Sequence, residues 1–170
     1  MTVRNACKDD MPAIMNIEKD AFAAQIQEKN ETFTERMKVF GGGFLVFEND
    51  GDIAGYFCSE RWPEIPENED LFKLGHSARK THVYDGKVLY ISSFAILSKY
   101  RGKGLGRKLF CEALDFILLH EKGIKQLLLL VNEQWKGALN IYSDYGFEKI
   151  SCADGVFPES RGIIMKKELA

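Results

Sequence analysis

The stretch KYRGKGLGRKL, from Lys99 to Leu109, carries three glycines and five cations and no acidic residue. It follows a strand-like segment, KVLYISSFAIL, and it leads into a segment with the spacing of an amphipathic helix. The first N–H groups of a helix have no intrahelical acceptor, and the helix dipole places partial positive charge there. Glycines remove the side chains that would keep an anion away from these groups. The stretch therefore predicts a binding site for an anion of the diphosphate type.

Spacing excludes two common phosphate-binding motifs. A nucleotide-hydrolysing P-loop requires Lys-Ser or Lys-Thr after its last glycine, whereas Gly106 is followed by Arg107 and Lys108. The dinucleotide fingerprint G-x-G-x-x-G is absent because Gly102, Gly104 and Gly106 are spaced as G-x-G-x-G. From these residues alone, a glycine-rich loop with incidental lysines remains the alternative.

The rest of the chain alternates between strand-like and helix-like segments. Two strand-like runs flank Asp50-Gly51, a pair suited to a tight hairpin turn, and a long polar connection follows Trp62. TFTE, residues 32–35, has the form of a capping box and predicts a helix start. A helix from Leu105, the apolar strand QLLLLV, another helix and a closing strand follow. This order predicts a single α/β (α+β) domain over residues 1–170, with a mixed sheet of about six to seven strands flanked by helices.

Composition excludes several classes of protein. The chain has 23 Lys and Arg against 25 Asp and Glu, a net charge of −2, which argues against nucleic acid as a partner. The longest apolar run, LLLLV, is too short to cross a membrane, and the charged beginning of the chain lacks a signal sequence, so a cytoplasmic location is expected. No zinc-binding spacing, and hence no metal site, is indicated by Cys7, Cys58, Cys111, Cys152, His76, His82 and His120.

Two motifs in order resemble those of one known family. RGKGLG, residues 101–106, matches the R/Q-x-x-G-x-G/A motif of the GNAT superfamily, the acyl-CoA-dependent N-acetyltransferases. ALNIYSDYGF, residues 138–147, resembles the A-x-x-x-Y-x-x-x-G-F segment of the same family. The resemblance covers essentially the whole chain and is most specific between Leu89 and Phe147.

The resemblance implies a GNAT-like sheet that splays between its fourth and fifth strands and holds the pantetheine arm of acetyl-CoA (or coenzyme A) in the split. The implied binding residues are Phe94, Ala95 and Ile96 on the fourth strand, Arg101, Gly102, Lys103, Gly104, Leu105 and Gly106 in the loop, and Asn132 after the fifth strand. Many members carry Asn where Trp135 stands, so a polar contact from that position is not expected.

The reaction implied by the resemblance is direct attack of an amine on the acetyl thioester within a ternary complex. The amine must lose a proton, because an alkylammonium has a pKa of about 10. The resemblance makes Tyr142 the candidate acid that protonates the departing thiolate, with core packing as the alternative role. Tyr90 and Ser92 stand where several members carry a glutamate or histidine base, and either side chain could hold a relay water. His82, Asp85 and Glu60 are further candidates for the base.

The acceptor is expected to be the primary amine of a small molecule. The loop after the hairpin places Trp62 and Pro63 beside several acids, and this combination suits a cationic, partly apolar amine. The acids are Glu64, Glu67, Glu69 and Asp70, and a solvated charged loop is the alternative interpretation of this segment. DAF, SERW and the long loop resemble the arylalkylamine N-acetyltransferase branch, although Tyr90 and Ser92 replace its histidines.

Other functions also fit these residues. The acceptor could instead be a protein or peptide N-terminus or a lysine, and a non-catalytic CoA-binding sensor or interaction module is the alternative outside enzymes. The family includes homodimers, and the sequence leaves the oligomeric state open.

Overall fold

A computed structural model describes all residues from Met1 to Ala170 and contains one seven-stranded mixed sheet. The strands are β1 (Thr2–Asn5), β2 (Phe44–Asn49), β3 (Asp52–Trp62), β4 (Val88–Ile96), β5 (Gln126–Asn132), β6 (Glu148–Ala153) and β7 (Gly162–Glu168). The helices are α1 (Met11–Ala21), α2 (Asn30–Val39), the single turn α3 (Ala78–Thr81), α4 (Leu105–His120) and α5 (Lys136–Tyr145). The strand order is β1-β2-β3-β4-β5-β7-β6, in which only the central β4–β5 pair is parallel.

The sheet is covered on both faces because apolar side chains alternate along its strands. On β2, Phe44 and Val46 face α1 and α2, whereas Leu45 and Phe47 face α4. Helix α4 contributes a fully buried stripe that includes Phe110. The glycine-rich loop is thereby anchored by a helix whose packing is independent of any ligand.

The hairpin between β2 and β3 confirms the turn predicted from sequence. Asp50 and Gly51 have φ angles of 52° and 86°, the left-handed values that a two-residue hairpin turn requires. The long connection after β3 contains the short 3₁₀ turn Glu69–Phe72 and helix α3 before β4 begins.

Helix α2 begins earlier than the capping-box pattern predicts. Its first residue is Asn30, so Thr32 and Glu35 both lie inside the helix. The Glu35 carboxylate accepts a hydrogen bond from Ser77 Oγ at 2.8 Å instead of turning back toward the helix start. The predicted start at TFTE is therefore wrong, because the acid is used in a tertiary contact.

Candidate active site

A wedge opens in the sheet between β4 and β5. Their parallel pairing runs from Val88 opposite Gln126 to Ile91 opposite Leu129 and then stops. Beyond that point β4 continues along β3, and β5 continues along β7 as far as Asn132. The splay that the family resemblance implied is present at this position.

A β-bulge on β4 coincides with the start of the wedge. On β3, Cys58 pairs with Ser93 and Ser59 with Ile91, so Ser92 has no partner across the ladder. The Ser92 hydroxyl donates a hydrogen bond to the Cys58 carbonyl oxygen at 3.1 Å. A bulge bends its strand and increases the local twist. We attribute the separation of β4 from β5 in part to this extra residue.

The glycine-rich loop presents unpaired backbone N–H groups at the start of α4. Gly102 and Gly104 have φ angles of 75° and 74°, and nothing lies within 4 Å of a Cβ added at either position. Arg101 N donates to Ser98 O at 3.0 Å, and the next N–H along the chain that donates to a backbone carbonyl is that of Lys108, which bonds Gly104 O at 3.3 Å. The N–H groups of residues 102–107 have no backbone acceptor. This geometry suits an anion.

Several cations of this loop are held by other protein groups. Arg101 Nε donates to the Ile96 carbonyl oxygen at 2.9 Å, which ties the loop to the end of β4. Arg107 contacts the Asp144 carboxylate, and Lys108 lies 3.7 Å from that of Glu112. These pairings restrict the motion of the three side chains.

Gly106 has a packing role. A Cβ on this residue would lie 3.1 Å from Ile141 Cδ1, which is tighter than an ordinary van der Waals contact. The absence of a side chain therefore lets α4 and α5 approach each other beside the loop.

The wedge widens into a cleft that contains several of the predicted residues. Tyr90, Ser92 and Phe94 line it from β4, and Tyr142 lines it from α5. Ala95 and Ile96 are buried behind the lining.

Asn132 does not line the cleft, and its side-chain amide makes hydrogen bonds elsewhere. Its Nδ2 donates to Ser160 Oγ at 2.6 Å, and its Oδ1 accepts from Gln134 N at 2.9 Å. These two bonds fix the orientation of the Asn132 amide.

Tyr142 is nine-tenths buried and packs against Phe110, with ring centroids 5.0 Å apart. Desolvation raises the pKa of Tyr142 above its ordinary value. The phenol therefore stays protonated across the physiological range, as a proton donor must.

Tyr90 is less suited to be a base. It is stacked on Trp62 with ring centroids 4.1 Å apart, and burial raises the pKa of Tyr90 well above its ordinary value. A neutral phenol of this kind donates a hydrogen bond and does not take a proton from an ammonium group.

The three other candidates for the base lie outside the cleft lining. His82 Nδ1 accepts a hydrogen bond from Arg61 N at 3.0 Å, and its ring stacks on Phe40. Asp85 is exposed on the connection before β4. Glu60 is buried beside the cleft and contacts His76, which does line it.

The acids that the sequence assigned to the acceptor wall are exposed. Glu64, Glu67, Glu69 and Asp70 all face solvent. The loop does border the cleft, but with a later segment that includes Phe72 and His76. The prediction of an acidic wall from this loop is therefore wrong, and the carboxylates beside the cleft come from other elements.

Glu18 and Glu28 supply carboxylates to the lining, and sequence reasoning missed both. Glu18, on α1, accepts a hydrogen bond from Glu28 N at 2.8 Å and contacts the Tyr56 hydroxyl. That hydroxyl lies 2.7 Å from Ser93 Oγ, which also borders the cleft. Burial raises the pKa of Glu18. These residues form a polar chain from the cleft to a buried carboxyl group.

A second network surrounds Arg36 on α2. Arg36 Nη2 donates to Glu28 Oε1 at 3.0 Å and lies 3.3 Å from His76 Nδ1. The other ring nitrogen of His76 contacts Glu60, whose second oxygen accepts from Thr81 Oγ1 at 2.5 Å. Burial opposes ionisation of Glu60, but the hydrogen bonds from His76 and Thr81 prevail and lower its pKa. No sequence motif marks these residues, because they come from four separated segments.

Residues 11–147 match the model of the acetyltransferase (GNAT) family. The chain belongs to this family. It is accordingly an acetyl-CoA-dependent N-acetyltransferase, and acetyl-CoA is its cosubstrate. Both the fold and the order of the two sequence motifs agree with the GNAT assignment.

Relatives of this GNAT protein are described as N-alpha-acetyltransferases. An N-alpha-acetyltransferase of Sulfurisphaera tokodaii is 26% identical over 149 residues, covering 87% of this chain and 80% of the relative. N-alpha-acetyltransferase 30 of Schizosaccharomyces pombe is 30% identical over 100 residues, covering 56% and 64%.

Among solved structures, the GphF GNAT-like decarboxylase in complex with isobutyryl-CoA superposes with a TM-score of 0.83 at 15% identity. The superposition covers all of both chains. This likeness concerns the fold. No helix of the structure is both long enough and apolar enough to span a membrane.

Proposed function

We propose that this enzyme transfers the acetyl group of acetyl-CoA to the primary amine of a small molecule, which attacks directly in a ternary complex. The observation that carries this proposal is that aromatic and polar side chains from separate segments together border the acceptor side of the cleft. The cleft is bordered by Phe22, which follows α1, by Phe72 and His76, and by Phe157, which follows β6. Three separate segments thus surround a space that leads to buried carboxylates.

An aromatic collar supports binding of a partly apolar amine. The ring centroid of Trp135 lies 5.5 Å from that of Phe22 and 5.3 Å from that of Phe157. Aromatic faces attract organic cations, and Glu18 and Glu28 add carboxylates to the same lining. Trp135 thereby provides an apolar wall where many family members carry an amide.

The glycine-rich loop fits the cosubstrate. Acetyl-CoA supplies an acetyl group activated as a thioester, and its pyrophosphate is the anion that the unpaired N–H groups of residues 102–107 would hold. In this proposal Lys103, which is exposed and makes no ion pair, adds positive charge. The backbone of Phe94, Ala95 and Ile96, on the edge of β4 beyond its pairing with β5, contacts the pantetheine arm.

Proton transfer requires an acid and a base. Tyr142 holds a proton in the cleft and gives it to the departing sulfur. On the other side, the Ser93–Tyr56–Glu18 chain offers a path from the amine to a buried carboxylate. Ser92 and Tyr90 line the approach, where Ser92 positions a relay water.

A thiol-release assay on purified protein tests the acceptor class. We expect acetyl-CoA turnover with a panel of small primary amines, and much lower kcat/KM with unstructured peptides that offer a free N-terminus or a lysine. The descriptions of the sequence relatives favour a second candidate, a protein N-terminal α-amine. Turnover confined to peptides would support that candidate and contradict a small acceptor. A cytoplasmic location belongs to the same proposal.

A further inference from the structure

Arg36 has hydrogen-bonding groups that the protein leaves unused. Its side chain is 2% exposed, and it borders the acceptor cleft. Only Nη2 is engaged, by Glu28 and His76. Nε and Nη1 are buried and have no hydrogen-bond partner.

Unpaired donors of this kind are costly in a folded protein. A guanidinium group has five N–H hydrogens and no acceptor, and Nε and Nη1 carry three of them. Burying a charged donor without a partner forfeits its hydration, which hydrogen bonds normally replace. The missing partner is an acceptor, and because Arg36 borders the cleft, a ligand in the cleft is the candidate to supply it.

We propose that Arg36 binds a carbonyl or carboxylate oxygen of the acceptor, so that the substrate is an amine that carries such an oxygen near its nitrogen. An α-amino acid or its amide has this chemistry. The inference rests on the proposed function, since it assumes that the acetylated amine occupies this cleft. It deepens that function by naming the recognition group of the substrate.

The other polar groups of the cleft are placed to bind a single substrate that carries an amine at one end and an acceptor oxygen at the other. Glu18, Ser93 and Tyr142 border the same cleft as Arg36, so an amine directed toward them leaves the oxygen of a short substrate within the same enclosure. Glu28 and Glu60 flank the Arg36 network and offset its positive charge. A carboxylate and a neutral carbonyl therefore both supply the oxygen acceptor that Arg36 requires. The experiment below distinguishes them.

The test compares three compounds that share a side chain and differ in the group next to the amine. For phenylalanine and for leucine, kcat/KM is measured with the amino acid, its primary amide and the corresponding decarboxylated amine. We expect the decarboxylated amine to be at least about tenfold worse than the better oxygen-bearing form, because a hydrogen bond to a charged donor is lost. A preference for the acid identifies a carboxylate, and a preference for the amide identifies a neutral carbonyl.

Arg36→Lys isolates the contribution of the guanidinium. Lysine keeps a cation for Glu28 but lacks the Nε and Nη1 donors. We expect the preference for the oxygen-bearing form to fall to within about threefold, mainly through KM. Arg61→Lys is the matched control, since Arg61 is also a buried arginine with a glutamate partner but lies outside the cleft lining. It should keep the preference. Melting curves with acetyl-CoA verify that both variants fold.

Two results would overturn the inference. One is equal kcat/KM for the decarboxylated amine and the oxygen-bearing forms in the wild-type enzyme, which is also the result expected if an ordered water occupies Arg36. The other is an Arg36→Lys variant that loses activity equally on all three forms, since that pattern marks a purely structural arginine.

Failure of the proposed function gives a different pattern. If only peptides are acetylated, the same comparison is made between a peptide and its analogue in which the first carbonyl is replaced by methylene. If no acceptor is acetylated, the shift in melting temperature caused by phenylalaninamide and by phenethylamine is measured with CoA present. A larger shift with the amide that Arg36→Lys removes supports the inference, and equal shifts contradict it.

Discussion

The half of the site proposed to bind the cosubstrate and the half proposed to bind the acceptor, called the donor half and the acceptor half below, consist of different kinds of group. The donor half consists of backbone N–H groups of residues 102–107, contributed by one continuous and exposed segment. The acceptor half consists of buried side chains from α1, α2, β3 and the loop before β4, linked by hydrogen bonds such as that from Arg36 to Glu28. A pyrophosphate can be bound through main-chain N–H groups, whereas selection of the acceptor is proposed to depend on side chains.

The largest expected effect arises where the two halves meet. Tyr142→Phe keeps the packing against Phe110 but removes the proton donor, so kcat should fall by about 100-fold with little change in either KM. Because desolvation raises the pKa of Tyr142, we expect no fall in wild-type kcat from this group up to about pH 9. Initial rates over a pH series measure both quantities.

Tyr145→Phe is the control for this variant. Tyr145 lies on the same helix and packs against Phe110 but does not border the cleft. It should leave kcat nearly unchanged. Equal losses in the two variants would mean that Tyr142 serves packing alone.

A substitution in the loop should affect the donor half alone. Gly104→Asp places a carboxylate where the pyrophosphate is expected, and we predict a rise of about 30-fold or more in the KM for acetyl-CoA with the acceptor KM within twofold. Gly51→Asp is the matched control, because Gly51 also has a positive φ and open space around it but lies in the hairpin. Both variants carry a backbone cost of about 1 kcal/mol. Comparable KM values for acetyl-CoA in the two variants would contradict the anion site.

The smallest expected difference between the donor half and the acceptor half is in the response of their KM values to salt. Lys103 and the neighbouring cations of the loop are exposed, so dissolved ions screen their attraction for phosphates, whereas the Arg36 network is buried. Raising NaCl from about 0.05 to about 0.5 M should increase the KM for acetyl-CoA about threefold and change the acceptor KM less. Parallel titrations at saturating cosubstrate measure this difference, and equal responses would place the acceptor in an exposed site.

The same contrast explains which parts of the molecule could be predicted from sequence. The glycine-rich loop was predictable because its glycines, its flanking strand and its helix are contiguous, and the hairpin at Asp50-Gly51 was predictable because its turn is local. Strand β6 was not predicted, since it lies at the edge of the sheet and its residues from Glu148 to Ser151 are exposed, without apolar alternation.

The acceptor network escaped prediction for another reason. Arg36 and His76 are 40 residues apart in the chain, and nothing in their local sequence relates them. The bulge at Ser92 is likewise invisible in a continuous strand pattern, because it depends on the register of β3. The exposed acids of the loop were misleading, since clustered charge is more often a sign of solvent contact than of a binding wall.

The position of β7 in the sheet has a consequence for the order in which the site is completed. β7 lies between β5 and β6, although it follows both in the chain, so the wall of the cleft formed by β5 lacks its outer neighbour until residues 162–168 have been synthesised. Until then an apolar strand has an open hydrogen-bonding edge, which is prone to pair with other chains. The glycine-rich loop and α4 precede this moment by some 40 residues or more. On a ribosome, the loop proposed to bind the cosubstrate therefore emerges first, and the β5 wall of the cleft gains its outer neighbour only after β7 has been synthesised.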